Sequence, residues 1–472
     1  MADGADSERR GRGIGFWRIF GDVRRGEGTR VALLGLQIFL LLSAYYLLKT
    51  VREPLILLSR FRGLGGAELK IYATSAQALL LLAVLPLYAR LASRVSRLVL
   101  IYFTLIAFIL SLGLFIALGA AGKPIAAPFY MWLGIVSLLG IAQFWSLAVD
   151  LYSREAGERL FGVIAIGGAA GAIAGSQLAR RLIEPLGIYG LMAMAGALYA
   201  LALAIVTIID GKPAATDGEA PRRAPAAAST GSLGLVMRDR YLLLIGALLI
   251  FVNLVNTQGE YILADAVKTH AEAFPSVARQ AIIGRFYGAF YGAVNALAFI
   301  VQSFLVARLL KVGGTRRALF LLPCVALAGY GAIALFPSLV VIALAKAAEN
   351  SFDYSIETTV EQTLFLPTTR EIKYNGKATV DTICVRLGDL AAGGLVMICL
   401  HVFSLSRRGF AVANLALVAI WMAIAVAIAR RHRVLAGDGP VRTPRRPSPV
   451  QPVTVEVEPA TDPDFDPTVI RR

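Results

Sequence analysis

Charge is scarce in this chain of 472 residues: Asp, Glu, Lys and Arg make up 17% of it, against about 25% in soluble globular domains. Histidine and cysteine are scarcer still, at three each. His270, His401 and His432 stand far apart, and Cys324, Cys384 and Cys399 lie in apolar stretches with no CxxC pair. That spacing excludes an ordinary zinc site and a disulfide framework. No Ser/His/Asp or Cys/His constellation is visible, so no catalytic residue, metal or cofactor is expected, and the chain does not read as an enzyme. The N-terminus MADGADSERRGRG is polar and basic and lacks the shape of a cleavable signal peptide.

Apolar residues are abundant instead. They make up 57% of the chain, with a mean hydropathy of +0.67, and they are gathered into long runs such as LLGLQIFLLLSAYYLL from Leu33 and LYALALAIVTII from Leu198. A bilayer-crossing helix needs about 20 mostly apolar residues, and runs of that size recur along the whole chain. A soluble enzyme, a coiled coil and a wholly disordered protein are thereby excluded. The reading is an all-α membrane protein with about twelve transmembrane helices, near 31–58, 69–91, 98–120, 128–151, 160–184, 188–210, 239–267, 280–310, 316–336, 338–365, 377–404 and 408–430.

Punctuation divides the chain further. Residues 1–30 form a cytoplasmic leader, in which IGFWRIFGDVRRG (14–26) has the makings of an interfacial helix. A first six-helix bundle covers 31–210, a Pro/Ala/Ser-rich cytoplasmic linker 211–238, and a second six-helix bundle 239–433. A disordered tail rich in proline and mixed charge covers 434–472. The net charge is +16. Its Lys and Arg concentrate in the leader, in the linker and in every second loop, the pattern of a multi-pass protein with both termini cytoplasmic. The membrane accounts for the basic balance, and no nucleic-acid partner is expected.

Glycines recur at i+4 in the fifth span (Gly167, Gly171, Gly175) and the eighth (Gly284, Gly288, Gly292), which makes bare helix faces for close packing. Ionisable groups inside spans carry more functional weight, because each costs about 2.5–3.5 kcal/mol at mid-helix and by default marks a pathway or site. The first span carries YYLLKTVREPL, with Lys49, Arg52 and Glu53 on one helix face and Pro54 just beyond. These cations either contact an anion or snorkel to the interface. The tenth span carries Lys346 and a carboxylate row at i+4, Glu349, Asp353, Glu357 and Glu361. The eleventh carries Lys377, Asp381, Arg386 and Asp389. Lys49, Arg52, Arg285, Lys346 and Arg386 are expected to converge on a phosphorylated anion, with Tyr45, Tyr46, Tyr287, Tyr291 and Tyr354 available to stack on a base or to pack. Glu349, Asp353, Glu357, Glu361, Lys377, Asp381 and Asp389 are candidates for gating or coupling.

Three ordered segments resemble the ATP/ADP translocase family, the nucleotide transporters of intracellular bacteria and plastids. They are VRRGEGTRVALLGLQIFLLLSAYYLLKTVREPLIL (first span), AQFWSLAVDLYSREAGERLFGVIAIGGAAGAIAG (fourth and fifth) and ENSFDYSIETTVEQTLFLPTTREIKYNGKATVDTICVRLGDLAAGG (tenth and eleventh). The likeness covers about residues 25–430 and leans to the free-living bacterial branch. It implies a major-facilitator-like fold of two bundles around a central cavity, alternating access, and ATP/ADP-type exchange in the bacterial inner membrane. It places Arg52 on the basic position of the first-span motif, with Lys49 and Glu53 flanking, and Lys377 and Asp381 on a GKxxxD segment. Two positions depart from the pattern: Gln143 and Asn256 stand where characterised exchangers carry acids, and both are candidates for substrate contact. Pro54 and Asp389 also differ from some members. The expected partners are a nucleotide or other phosphorylated small molecule and the lipid bilayer, and the chain is expected to be monomeric. The competing readings are a proton-coupled major-facilitator carrier of another solute and a non-transporting membrane scaffold.

Overall fold

The computed structural model describes residues 23–24, 27–210, 231–369 and 372–435. The leader's interfacial helix, most of the linker and nearly all of the tail lie outside the described residues.

The first half opens with α1 (Gly28–Leu57), α2 (Gly66–Ala92), α3 (Arg97–Ala120) and α4 (Ala126–Leu151). A long α5 (Arg154–Asp210) bends back on itself at Gly187, where φ is 65°. Only glycine adopts that left-handed backbone readily, and Pro185 just before it removes a donor, so one continuous apolar run becomes the fifth and sixth spans. The short α6 (Gly231–Arg238) lies inside the segment expected to be linker. Its Val236 is 3% exposed and joins the apolar core of the second half, which is why these residues are helical rather than linker.

The second half follows with α7 (Arg240–Glu272), capped by Asp239 accepting from the Tyr241 and Leu242 amides at 2.7 and 3.1 Å. Then come α8 (Ser276–Ile300), α9 (Ala307–Ala318), α10 (Leu321–Leu335), α11 (Leu339–Phe352), α12 (Thr358–Leu364), α13 (Lys377–Thr379), α14 (Val385–His401) and α15 (Arg407–Leu435). Gly314, with φ 63°, repeats the device of Gly187 between the eighth and ninth spans. Among the described residues, four π-helical stretches interrupt this half: Val301–Val306, Asp353–Glu357, Ile372–Gly376 and Val380–Cys384. Such turns cluster at functional sites, and two of them carry carboxylates of the tenth and eleventh spans.

Nine helical stretches among the described residues are long and apolar enough to cross a membrane. The twelve expected spans are nevertheless all present. The stretch Glu155–Ile209 holds two of them, the ninth is the shorter α10, and the tenth is divided among α11, the Asp353–Glu357 turn and α12. The fold is thus the all-helical, twelve-span, two-bundle arrangement.

The two glycine stripes serve different contacts. A Cβ at Gly167, Gly171 or Gly175 would stand 2.2–2.3 Å from the carbonyl oxygens of Gly35, Phe39 or Ser43, so this stripe lets α5 lie directly on α1 within the first half. A Cβ at Gly284 would meet Ile183 at 2.7 Å, and one at Gly288 would meet the Arg180 side chain at 2.8 Å, so the second stripe joins α8 to α5 across the seam between halves.

Candidate functional site

The helices alternate in direction, so Leu57, Gly66, Gly187, Glu272 and Ser276 lie toward one face of the molecule, and the described chain ends, the start of α1 at Gly28 and the end of α15 at Leu435, lie toward the other. Polar ties across the seam gather toward the face away from the chain ends. Tyr291 of α8 donates to Glu53 Oε1 of α1 at 2.8 Å. Lys70 of α2 bonds Glu260 of α7 at 3.1 Å. Ser75 of α2 donates to the Asp389 carbonyl of α14 at 2.9 Å, and His401 meets Glu68 at 2.7 Å. On the chain-end face the ion pairs Arg97–Asp150, Arg159–Glu27 and Lys377–Asp381 stay within one half.

At the seam lies a buried ionic network. Glu53 is fully buried and is held by Arg52 at 3.0 Å and Lys70 at 2.9 Å. Arg52 also lies over the Tyr130 ring, 4.1 Å from its centroid. Glu260 takes its second hydrogen bond from Asn350 at 3.2 Å. Next to it, Lys346 is fully buried and donates to Glu349 at 2.9 Å and to the Asn256 side chain at 2.8 Å, while Tyr330 donates to Glu349 at 2.8 Å. Two charges taken out of water each lose several kcal/mol of solvation, and only close pairing with extra hydrogen bonds offsets that loss. The pairing here is of that kind.

Lys49 differs from its neighbours. It is 9% exposed and forms no ion pair among the described residues. Four tyrosine rings surround its ammonium: Tyr291 at 4.4 Å, Tyr46 at 5.1 Å, Tyr354 at 5.8 Å and Tyr45 at 5.9 Å. Tyr45 and Tyr46 come from the first half, Tyr291 and Tyr354 from the second. A ring face offers a cation about 0.5–2 kcal/mol, which compensates the charge without neutralising it. Tyr354 is 42% exposed, so the cage is open on one side. The network and cage together hold four cations (Lys49, Arg52, Lys70, Lys346) against three carboxylates (Glu53, Glu260, Glu349). One positive charge is left over, and it sits on Lys49.

The five cations expected to converge on one anion are instead divided among different partners. Arg52 and Lys346 reach the network already paired. Arg285 is half exposed and pairs with Glu184 across the seam, because its position on α8 looks toward the end of the fifth span. Arg386 pairs with Asp389 at 3.0 Å within α14. Gln143 donates to Tyr88 at 3.0 Å and to Thr104 at 2.7 Å, binding α4 to α2 and α3. Asn256 serves as an acceptor for Lys346.

The carboxylate row divides as well. Glu349 belongs to the network, and Asp353 forms no ion pair among the described residues. Glu357 is 4% exposed and neither of its oxygens has a hydrogen-bond partner. Glu361 lies 3.8 Å from Lys377, which also pairs closely with Asp381.

Lys70 is not among the residues that the sequence singles out. It lies one residue inside the expected second span, so the rule that flagged Lys49 and Lys346 applies to it equally. Its position near the helix start makes it look like an interface residue. Tyr130 and Asn350 carry no sequence signal, because an uncharged polar residue in a span is ordinary.

Residues 323–432 match the model of a family described as the TLC ATP/ADP transporter. No curated protein matches the chain. Among solved structures, a POT family transporter in complex with a thioalcohol-conjugated peptide is similar over 86% of this chain and 96% of its own, with a TM-score of 0.63 at 13% identity. The nucleoside transporter NupG is similar over 86% and 99%, with a TM-score of 0.61 at 12% identity. A bacterial homologue of the human lysosomal transporter Spinster, described as inward-facing and unoccupied, is similar over 88% and 99%, with a TM-score of 0.58 at 14% identity. Residues 323–432 are thus similar to the TLC ATP/ADP transporter family, and the whole chain has the twelve-span major-facilitator fold of these solved transporters.

Proposed function

We propose that this multi-pass protein carries nucleotides, by ATP/ADP-type exchange, or a closely related phosphorylated anion, across a bacterial inner membrane. It acts as a monomer with both termini in the cytoplasm, and as a carrier rather than an enzyme. The observation that carries the reading is Lys49: a buried cation without a carboxylate, ringed by tyrosines from both halves and open on one side. A phosphate oxygen entering the cage gains a charge-assisted bond, and a base or sugar finds ring faces already in place. Arg52 stands one helical turn away. It can turn from Glu53 to the substrate, since Lys70 and Tyr291 continue to satisfy that carboxylate. The seam ties hold the halves together on the face away from the chain ends, so this conformation admits substrate from the cytoplasm.

Exchange follows from charge. Moving the site across the membrane without an anion would leave Lys49 as an uncompensated buried cation, at a cost of several kcal/mol. With an anion bound the charge is matched, and the halves re-pair on the other face. The test is uptake of a labelled nucleotide panel into proteoliposomes. Uptake is expected only into vesicles loaded with a counter-nucleotide, and Lys49→Gln should abolish it while leaving a monodisperse helical protein. Equal uptake by that variant would remove the cage from the pathway.

Glu357 favours a second reading, a proton-coupled carrier. A buried carboxyl with two unpartnered oxygens, next to Asp353 and Glu361, is placed to carry a proton. Uptake into unloaded vesicles driven by a pH gradient, and abolished by Glu357→Gln, would establish that reading over exchange.

A further inference from the structure

Well away from the seam, a cavity of about 540 Å³ opens between the start of the ninth span and the last turns of α15. Four of its lining side chains are arginines: Arg316, Arg317, Arg430 and Arg433. Its remaining wall is mostly apolar, with Val312 and Phe320 among its members. The two helices that line it, α9 and α15, contain no Asp or Glu. Arg317, Arg430 and Arg433 are exposed and form no ion pair among the described residues. The break at Gly314 builds the concavity by turning the chain at the membrane edge, which brings two arginines opposite the two on α15. A cytoplasmic excess of Lys and Arg accounts for basic residues on this face. It does not account for three exposed arginines, Arg317, Arg430 and Arg433, gathered around one depression without an ion pair among the described residues.

We infer that this cavity is a binding site for the headgroup of an anionic phospholipid, with the arginines holding its phosphodiester groups. Guanidinium forks suit phosphate oxygens, and basic pockets between transmembrane helices at the cytoplasmic level suit such headgroups. The neighbouring surface favours a lipid over a free phosphate compound. Val312 is 80% exposed, Val434 75% and Phe304, farther along the same span, 68%, which gives acyl chains an apolar path beside the headgroup. A lipid carrying two phosphodiesters matches Arg317, Arg430 and Arg433 in charge better than one carrying a single phosphodiester.

The test uses the purified full-length protein in neutral detergent, with lipid binding read by native mass spectrometry and by thermal shift. The probes are diphosphatidylglycerol, phosphatidylglycerol, phosphatidylethanolamine, inorganic phosphate and ATP. The two anionic lipids should bind and raise the melting temperature, with diphosphatidylglycerol the tighter, and phosphatidylethanolamine should do neither. A basic residue near an anionic surface contributes about a fivefold change in affinity, so Arg317→Gln/Arg430→Gln/Arg433→Gln together should weaken anionic-lipid binding about a hundredfold. Its lipid-free melting temperature should stay at the parent's. The single variants carry the same test should the triple fail to fold. Equal binding of phosphatidylethanolamine, retention of anionic lipid by the arginine variants, or displacement of lipid by millimolar ATP or phosphate would each overturn the assignment. None of these readouts depends on what the protein transports.

Discussion

Replacing Glu260 by Gln tests the seam directly. Glu260 is the second half's contribution to the bridge Lys70–Glu260, and its side chain is 21% exposed. If the halves part on this face, Lys70 keeps Glu53 at 2.9 Å, because both lie in the first half, whereas Glu260 keeps only Asn350. The bridge therefore favours the state described here over one opened on this face. Glutamine preserves shape and the Asn350 bond but replaces a charge-assisted hydrogen bond with a neutral one, and it leaves Lys70 nearer to the cations of the second half. A loss of about 1–3 kcal/mol is expected for that change in a buried setting, which moves the equilibrium about 5- to 150-fold. A parent opened on this face in about 1% of molecules would then be opened in about 5–60% of them. Spin labels on Arg60→Cys and Ala273→Cys, in a Cys324→Ser background, flank the seam, and Arg60, Ala273 and Cys324 are all exposed. Their separation, measured by electron–electron resonance in lipid, should gain a longer component in the Glu260→Gln protein. Identical distance distributions in parent and variant would refute the role assigned to the bridge.

Lys49→Arg should retain part of the uptake that Lys49→Gln loses, since the cage stabilises any cation, and dose–response curves of the two variants in loaded proteoliposomes check this. Gly171→Ala places a methyl 2.3 Å from the Phe39 carbonyl oxygen inside the first half. It should lower thermal stability by about 1–3 kcal/mol, as read by a detergent melt. Gly288→Ala meets the Arg180 backbone nitrogen across the seam at 2.9 Å, so it should act mainly by widening the label distance rather than by unfolding either half. Under exchange, Glu357→Gln should keep uptake into nucleotide-loaded vesicles and leave helical content, read by circular dichroism, unchanged.

Hydropathy and helical period are local properties, and what depends on them was legible in the residues alone. All twelve spans, the two breaks and the suspect charges inside spans follow from runs of apolar side chains and their interruptions. The likeness of the tenth and eleventh spans to the TLC ATP/ADP transporter family follows likewise, from motifs contiguous in the chain. Boundary differences are small and local: residues 231–238 read as linker in sequence because eight positions are too few to show a period, and burial of Val236 makes them helical.

Partnership was decided by the tertiary structure. Lys49, Arg52, Lys70 and Lys346 are all cations inside spans, yet one lies among tyrosines and three are bound to carboxylates, two of them to Glu53. Two glycine stripes of identical spacing serve different joints, one inside a bundle and one between bundles. The physical reason is the same in both cases. A buried charge or a bare helix face has its meaning fixed by whichever element packs opposite it, and that depends on the rotation and crossing of helices distant in the chain, which no local pattern specifies.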